Sequence, residues 1–158
     1  MLYKNNLSDV KKYYDICTKW YRWFYYDKDS LALHYGFWPT KNTSRKEALI
    51  NQYRVLLNLL NPKTGELILD AGCGVGGAAL WLARRTKADY IGITISKTQL
   101  KLAYQYTRER KLGNRVNFQI KNYFDTKFKN ETFNKIFAIE SFCHAYPNPR
   151  PLYAEMYR

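Results

Sequence analysis

The chain has 158 residues, 46% of them hydrophobic, enough for one domain with a core and too few for two ordinary ones. A net charge of +13 would suit nucleic acid, a membrane surface or an anionic substrate. The lysines and arginines are nevertheless spread along the chain with no basic block longer than a pair, as on a solvated surface. Cys17, Cys73 and Cys143 are odd in number and lack metal-type spacing, so neither a disulfide framework nor a zinc site is suggested and a reducing cytoplasm fits best. Charged and polar residues interrupt the first ten positions, unlike a signal peptide. No apolar run approaches the roughly 20 residues of a membrane span, so the expectation is a soluble protein that touches membranes at most peripherally.

From Ser8, read as an N-cap, Val10, Tyr13, Cys17, Trp20 and Phe24 fall at spacings of three and four and predict an amphipathic helix. The stretch DKDSLALHYGFWPTKNT reads as a loop carrying Tyr35, Phe37 and Trp38. The capping box Ser44-x-x-Glu47 opens a second helix that Asn61-Pro62 ends. ELILD is then a strand, Gly72 to Gly77 a tight turn, and AALWLARR a helix. DYIGITI is a second strand, Ser96-x-x-Gln99 caps a helix running to Gly113, and RVNFQI and NKIFAI are further strands.

This order predicts an α/β fold, a doubly wound parallel sheet of Rossmann-like type. Residues 1–61 would supply N-terminal helices and an aromatic lid, and residues 62–158 the ligand-binding core. PLYAEMYR opens a helix that stops at Arg158, leaving the fourth strand as an uncovered edge, apolar on both faces. The fold is therefore expected to be C-terminally truncated, its later strands missing.

LILDAGCGVGG has the parts of a nucleotide-binding turn, with glycines for positive φ and close approach and free N–H groups at the following helix. Gly72, Gly74 and Gly77 satisfy the dinucleotide fingerprint, a weak match alone. Asp70, two residues before the first glycine, would repel a pyrophosphate and attract an ammonium or a sulfonium. The second strand also ends in GITIS, without the acidic residue that holds a dinucleotide's ribose.

LDAGCGVGG resembles motif I of class I S-adenosylmethionine-dependent methyltransferases. GITISKTQ is similar to the matching segment of cyclopropane fatty acid synthases, and IESFCHAY resembles that of sterol C-methyltransferases and tocopherol-type relatives. The resemblance covers roughly Tyr13 to Arg158. It implies S-adenosyl-L-methionine as cofactor, with Asp70, Gly72 and Gly74 along its methionine and ribose, Thr94 and Gln99 near the ribose or adenosine, and Asn122 and Tyr123 at the adenine. Asn122 stands where the family commonly has Asp, and its amide carbonyl can still accept a hydrogen bond. HYGFWP is similar to the family's lid over the cofactor, with Tyr35 and Gly36 at its mouth.

The aromatic residues crowding the first forty positions either pack in the core or stabilise a cation. Glu140, at the carboxyl end of a fourth strand beside the first, sits where ligands gather in such sheets. Glu140 would orient the substrate, stabilise a cation or relay a proton, with His144 as partner base. The alternatives are a Glu140 that merely accepts a hydrogen bond from a loop amide and a structural His144. The function expected is a methyltransferase acting on a small hydrophobic or lipid-like acceptor, carbon included as the acceptor atom, with no metal and no nucleic acid involved. Alternatives are a cyclopropane-forming lipid enzyme and a non-catalytic nucleotide or nucleic-acid binder.

Overall fold

The structure, a computed structural model, describes residues 7–158. Positions 1–6, part of the stretch read against a signal peptide, lie outside the described residues. The chain runs α1 (Leu7–Phe24), α2 (Arg45–Leu60), β1 (Leu67–Ala71), α3 (Gly77–Ala83), β2 (Asp89–Thr94), α4 (Lys97–Glu109), β3 (Val116–Ile120) and β4 (Lys135–Phe137). A 3₁₀ turn (Phe142–Ala145) and α5 (Arg150–Tyr157) follow.

All strand pairs are parallel, in the order β3-β2-β1-β4, with Asp70 opposite Gly92 on one side and Phe137 on the other. β1 is central because Ile68 to Ala71 are buried throughout, as a strand covered on both faces must be. On one face Ile68, Tyr90, Val116 and Phe118 pack with Leu49, Tyr53 and the wholly buried α3. On the other, Leu69, Ala71 and Ile93 meet Phe128, Phe133, Phe142 and Met156. Burying side chains such as Ile68 and Leu69 contributes about 1.5–3 kcal/mol each. The edge strand is thus not bare, since Phe128, Phe133 and Met156 of α5 help cover one face of β4.

Both serines cap their helices as read, although the Gln99 side chain bonds Thr94 and not the Ser96 N–H. Ser44 Oγ accepts from Glu47 N–H at 3.2 Å, and Ser96 Oγ accepts from Gln99 N–H at 3.1 Å. Asn61 ends α2 in the left-handed region. Three readings require correction. Ser8 lies inside α1, one residue past its first described position, and is not its N-cap. α4 ends at Glu109, four residues before Gly113, and the residue taking positive φ after it is Lys111.

The third correction concerns which arc of α1 faces inward. Thr18 is buried and Val10, Tyr14, Cys17 and Tyr21 half-buried, whereas Tyr13 is 49%, Trp20 63% and Phe24 73% exposed. α1 docks on α4, where Asp15 Oδ1 accepts from Ser96 Oγ at 2.6 Å and from Thr98 N–H at 3.2 Å. Burial raises the Asp15 pKa, but these bonds and one from Lys11 outweigh it and hold the carboxyl below its ordinary value.

Candidate active site

β1 ends in a turn only glycine can make. Gly72 has φ +90°, and a Cβ there would lie 2.3 Å from that of Ser141. Gly72 and Cys73 N–H both donate to Ile93 O, which aims the turn across the ends of β1 and β2. A Cβ on Gly77, the first residue of α3, would lie 2.2 Å from Ser30 O, so glycine also lets the α1–α2 loop close over the turn.

Between these elements lies a cavity of about 170 Å³, far more than a trapped water needs. The structure brings Asp70, Gly72, Gly74, Thr94, Gln99, Tyr123, Glu140 and His144 together in its lining. Apolar residues of the N-terminal segment, among them Val10, Leu31 and Leu33, also line it.

Three expected residues, Asn122, Tyr35 and Gly36, lie outside the lining. Asn122 Oδ1 accepts from Phe124 N–H at 3.0 Å within its own turn. The Tyr35 side chain is 85% exposed, and it is its backbone N–H that reaches inward, donating to Glu140 Oε1 at 2.9 Å. The hydrogen bond from a loop amide considered for Glu140 is therefore present. Glu140 also lies three residues past the observed end of β4, with φ +52°, a conformation uncommon outside glycine.

Asp70 is fully buried, and its Oδ2 has no hydrogen-bond partner. Burial pushes its pKa up to about 8, with the Ala79 N–H working against the rise. A buried carboxyl oxygen without a partner needs an explanation, and a cation arriving in the cavity supplies one. The chain therefore fits the amino-acid end of S-adenosylmethionine, where Asp70 would face the ammonium. Beside it, Thr94 Oγ1 donates to Gln99 Oε1 at 2.7 Å and accepts from Ser96 N–H at 3.2 Å, fixing both side chains at the end of β2.

In the same lining His144 Nε2 and Tyr14 Oη are 3.0 Å apart, and burial lowers the His144 pKa, so the ring is neutral at pH 7. Tyr123 Oη donates to Ser141 O at 3.2 Å. Reading the sequence missed Tyr14, Tyr26, His34 and Tyr53, all of which line the cavity. One signal was available, since the chain has only two histidines and both are in the lining. The aromatic-rich N-terminal segment mostly does not build the core, because Trp23, Phe24, Tyr25, Phe37 and Trp38 are exposed. Among the described residues, no group of three or more His, Cys, Asp or Glu is placed to hold a metal ion.

The chain resembles several known proteins. It is 34% identical over 138 residues to methyltransferase GfsG of Streptomyces halstedii, covering 86% of this chain and 48% of the relative. It is 32% identical over 155 residues to sterol methyltransferase-like 3 of Botryococcus braunii, covering 98% of this chain and 38% of that protein. The chain thus spans about half or less of the length of these relatives. Among solved structures, the [4+2]-cyclase SpnF superposes with a TM-score of 0.86 at 26% identity, covering 93% of this chain and 54% of SpnF. The sequence profile described as mycolic acid cyclopropane synthetase matches residues 2–157, so the chain belongs to that family.

Proposed function

We propose that the protein is an S-adenosylmethionine-dependent methyltransferase acting on a small hydrophobic or lipid-like acceptor, with carbon among the atoms it methylates. The observation that carries this is the buried Asp70 carboxylate, its Oδ2 without a partner, in a largely apolar cavity that also holds Glu140 and His144. The methyltransferase names of GfsG and the Botryococcus protein support it. Asp70, the Gly72 and Gly74 turn, Thr94, Gln99 and Tyr123 would hold the cofactor, with Asn122 and Tyr35 as the outlying members of the set. When bound, the cofactor supplies an activated methyl group, so the protein mainly aligns the acceptor and excludes water.

Positive charge developing on an alkene acceptor would be stabilised by Glu140, and a proton leaving it would be taken by His144, which is neutral and hydrogen-bonded to Tyr14. Of residues 1–61, whose first six lie outside the described residues, the helices pack on the ligand-binding core of residues 62–158 and the aromatic segment around Tyr35 serves as the lid. The setting proposed is the cytoplasm, with peripheral membrane contact. Among the described residues, no helix is long and apolar enough to cross a membrane.

The family match favours one second reading, cyclopropane formation. Loss of a proton from the newly added methyl closes a three-membered ring, whereas loss from a neighbouring carbon leaves a methylated alkene. The two products are isomers, so mass cannot separate them. The test is to supply methyl-labelled S-adenosylmethionine with sterol, quinone, tocopherol-like and unsaturated phospholipid acceptors, then examine the product by NMR. Label in one lipid-like acceptor is expected, and upfield ring protons would select the cyclopropane. Absence of any label together with tight, salt-sensitive RNA binding would put a nucleic-acid binder first.

A further inference from the structure

His34 is the second buried acceptor of the cavity, and none of the roles above uses it. Its Nδ1 lies 2.7 Å from Tyr35 O. A carbonyl can only accept, so Nδ1 carries the proton and Nε2 presents a bare lone pair. That Nε2 is buried and has no hydrogen-bond partner. The ring is braced edge-on against Tyr53, with centroids 5.1 Å apart, and Tyr53 Oη is itself tied to Ser30 O at 2.9 Å. Burial lowers the His34 pKa more than the Tyr35 carbonyl and Glu140 raise it, which keeps the ring neutral. The cavity's lysine does not compete for these acceptors, because Lys121 turns its ammonium onto Thr126 O and the Phe128 ring.

Two buried acceptor atoms, Asp70 Oδ2 and the neutral imidazole's Nε2, therefore lack a donor, and both residues line one cavity. An ammonium group carries three N–H donors, enough in number for both. We propose that His34 is a cofactor-anchoring residue whose Nε2 accepts a hydrogen bond from the ammonium of the methyl donor's amino-acid end, alongside Asp70 Oδ2. This rests on the function proposed above. The buried Tyr26 Oη, also unpartnered and in the same lining, carries a proton and suits the neighbouring carboxylate of that amino-acid end.

The test is calorimetric and independent of turnover. Binding of S-adenosylhomocysteine, and of its analogue lacking only the amino group, is measured for the wild type, His34→Leu and His34→Gln, with melting curves to verify folding. His34→Leu should weaken S-adenosylhomocysteine roughly ten- to a hundredfold, as expected for losing a hydrogen bond to a charged group, and leave the deamino analogue unchanged. His34→Gln, whose amide oxygen falls near the position of Nε2, should recover most of the loss. If the wild type binds and His34→Leu weakens both ligands equally or neither, the His34 assignment is wrong while the donor reading stands. A wild type that binds neither ligand overturns both.

Discussion

Asp70 carries a charge problem that should be readable in solution. Its pKa is raised to about 8 by burial, so the protonated acid sits in the folded protein without penalty while the unfolded chain ionises near 4. Its contribution to stability is therefore complete below about pH 4 and is lost as pH rises towards 8. The melting temperature of the free protein should fall across that window by more than that of Asp70→Asn. A cationic ligand favours the carboxylate, so affinity for S-adenosylhomocysteine should rise over the same range, and Asp70→Ala should abolish it. Equal pH slopes in the wild type and Asp70→Asn would remove the charge assignment. Glu140 asks for a gentler change, because it both bears charge and accepts the Tyr35 N–H. In Glu140→Gln the amide oxygen still accepts that bond. Cofactor affinity should hold while turnover falls about a hundredfold or more, the usual scale of a proton-transferring or charge-stabilising group. Unchanged turnover would leave Glu140 as a latch on the lid and nothing else.

The elements differ in how far their neighbours along the chain decide them. Asp15 joins α1 to the first turn of α4, and Asp15→Ala should cost about 1 kcal/mol, the scale of a lost helix-terminal acceptor. The melting temperature should drop by roughly 2–4 °C, and amide exchange should quicken across α1 with α2 unaffected. Uniform acceleration would mean global destabilisation and no specific clamp. The contact was invisible in the sequence because it joins residues 81 and 83 positions apart. Ser44 and Ser96, by contrast, were legible, since a cap is decided within four residues. The strands were also legible, because an apolar run bounded by Gly or Asp can be buried in few other ways. The inward face of α1 was misread for a physical reason. Aromatic residues surround most of that helix, so the 3.6-residue period fits two arcs, and the buried centre turned out to be Thr18, a polar residue no hydrophobic pattern selects. At the site, the residues near the β1 turn could be read from the motif. The pairs Glu140 with Tyr35 and His144 with Tyr14 join positions 105 and 130 apart, and only the folded chain brings them together.

At the scale of the whole molecule, charge and exposed aromatic surface act together through α1. Val10 and Tyr14 of this helix line the cavity, while Ile16, Trp20, Trp23 and Phe24 are exposed, Trp23 at 82%. Lys12 and Lys19 flank that outer arc and are exposed as well. Indole and phenyl rings bordered by lysines suit the boundary between headgroups and acyl chains, and the chain's net charge of +13 favours an anionic leaflet. A helix with one side on the bilayer and the other on the cavity would give a lipid-like acceptor a short path to the site. The protein should therefore co-sediment with vesicles containing phosphatidylserine and much less with neutral phosphatidylcholine vesicles. Binding should weaken as salt shortens the Debye length from about 10 Å at 0.1 M to about 3 Å at 1 M. Replacing Trp20 and Trp23 by serine should reduce sedimentation at every salt concentration, because it removes the inserted rings and leaves the charge intact. The same double variant should keep its affinity for S-adenosylhomocysteine, since neither indole lines the cavity. If the double variant sediments as well as the wild type, charge alone holds the protein to the vesicle and the outer face of α1 has no part in it.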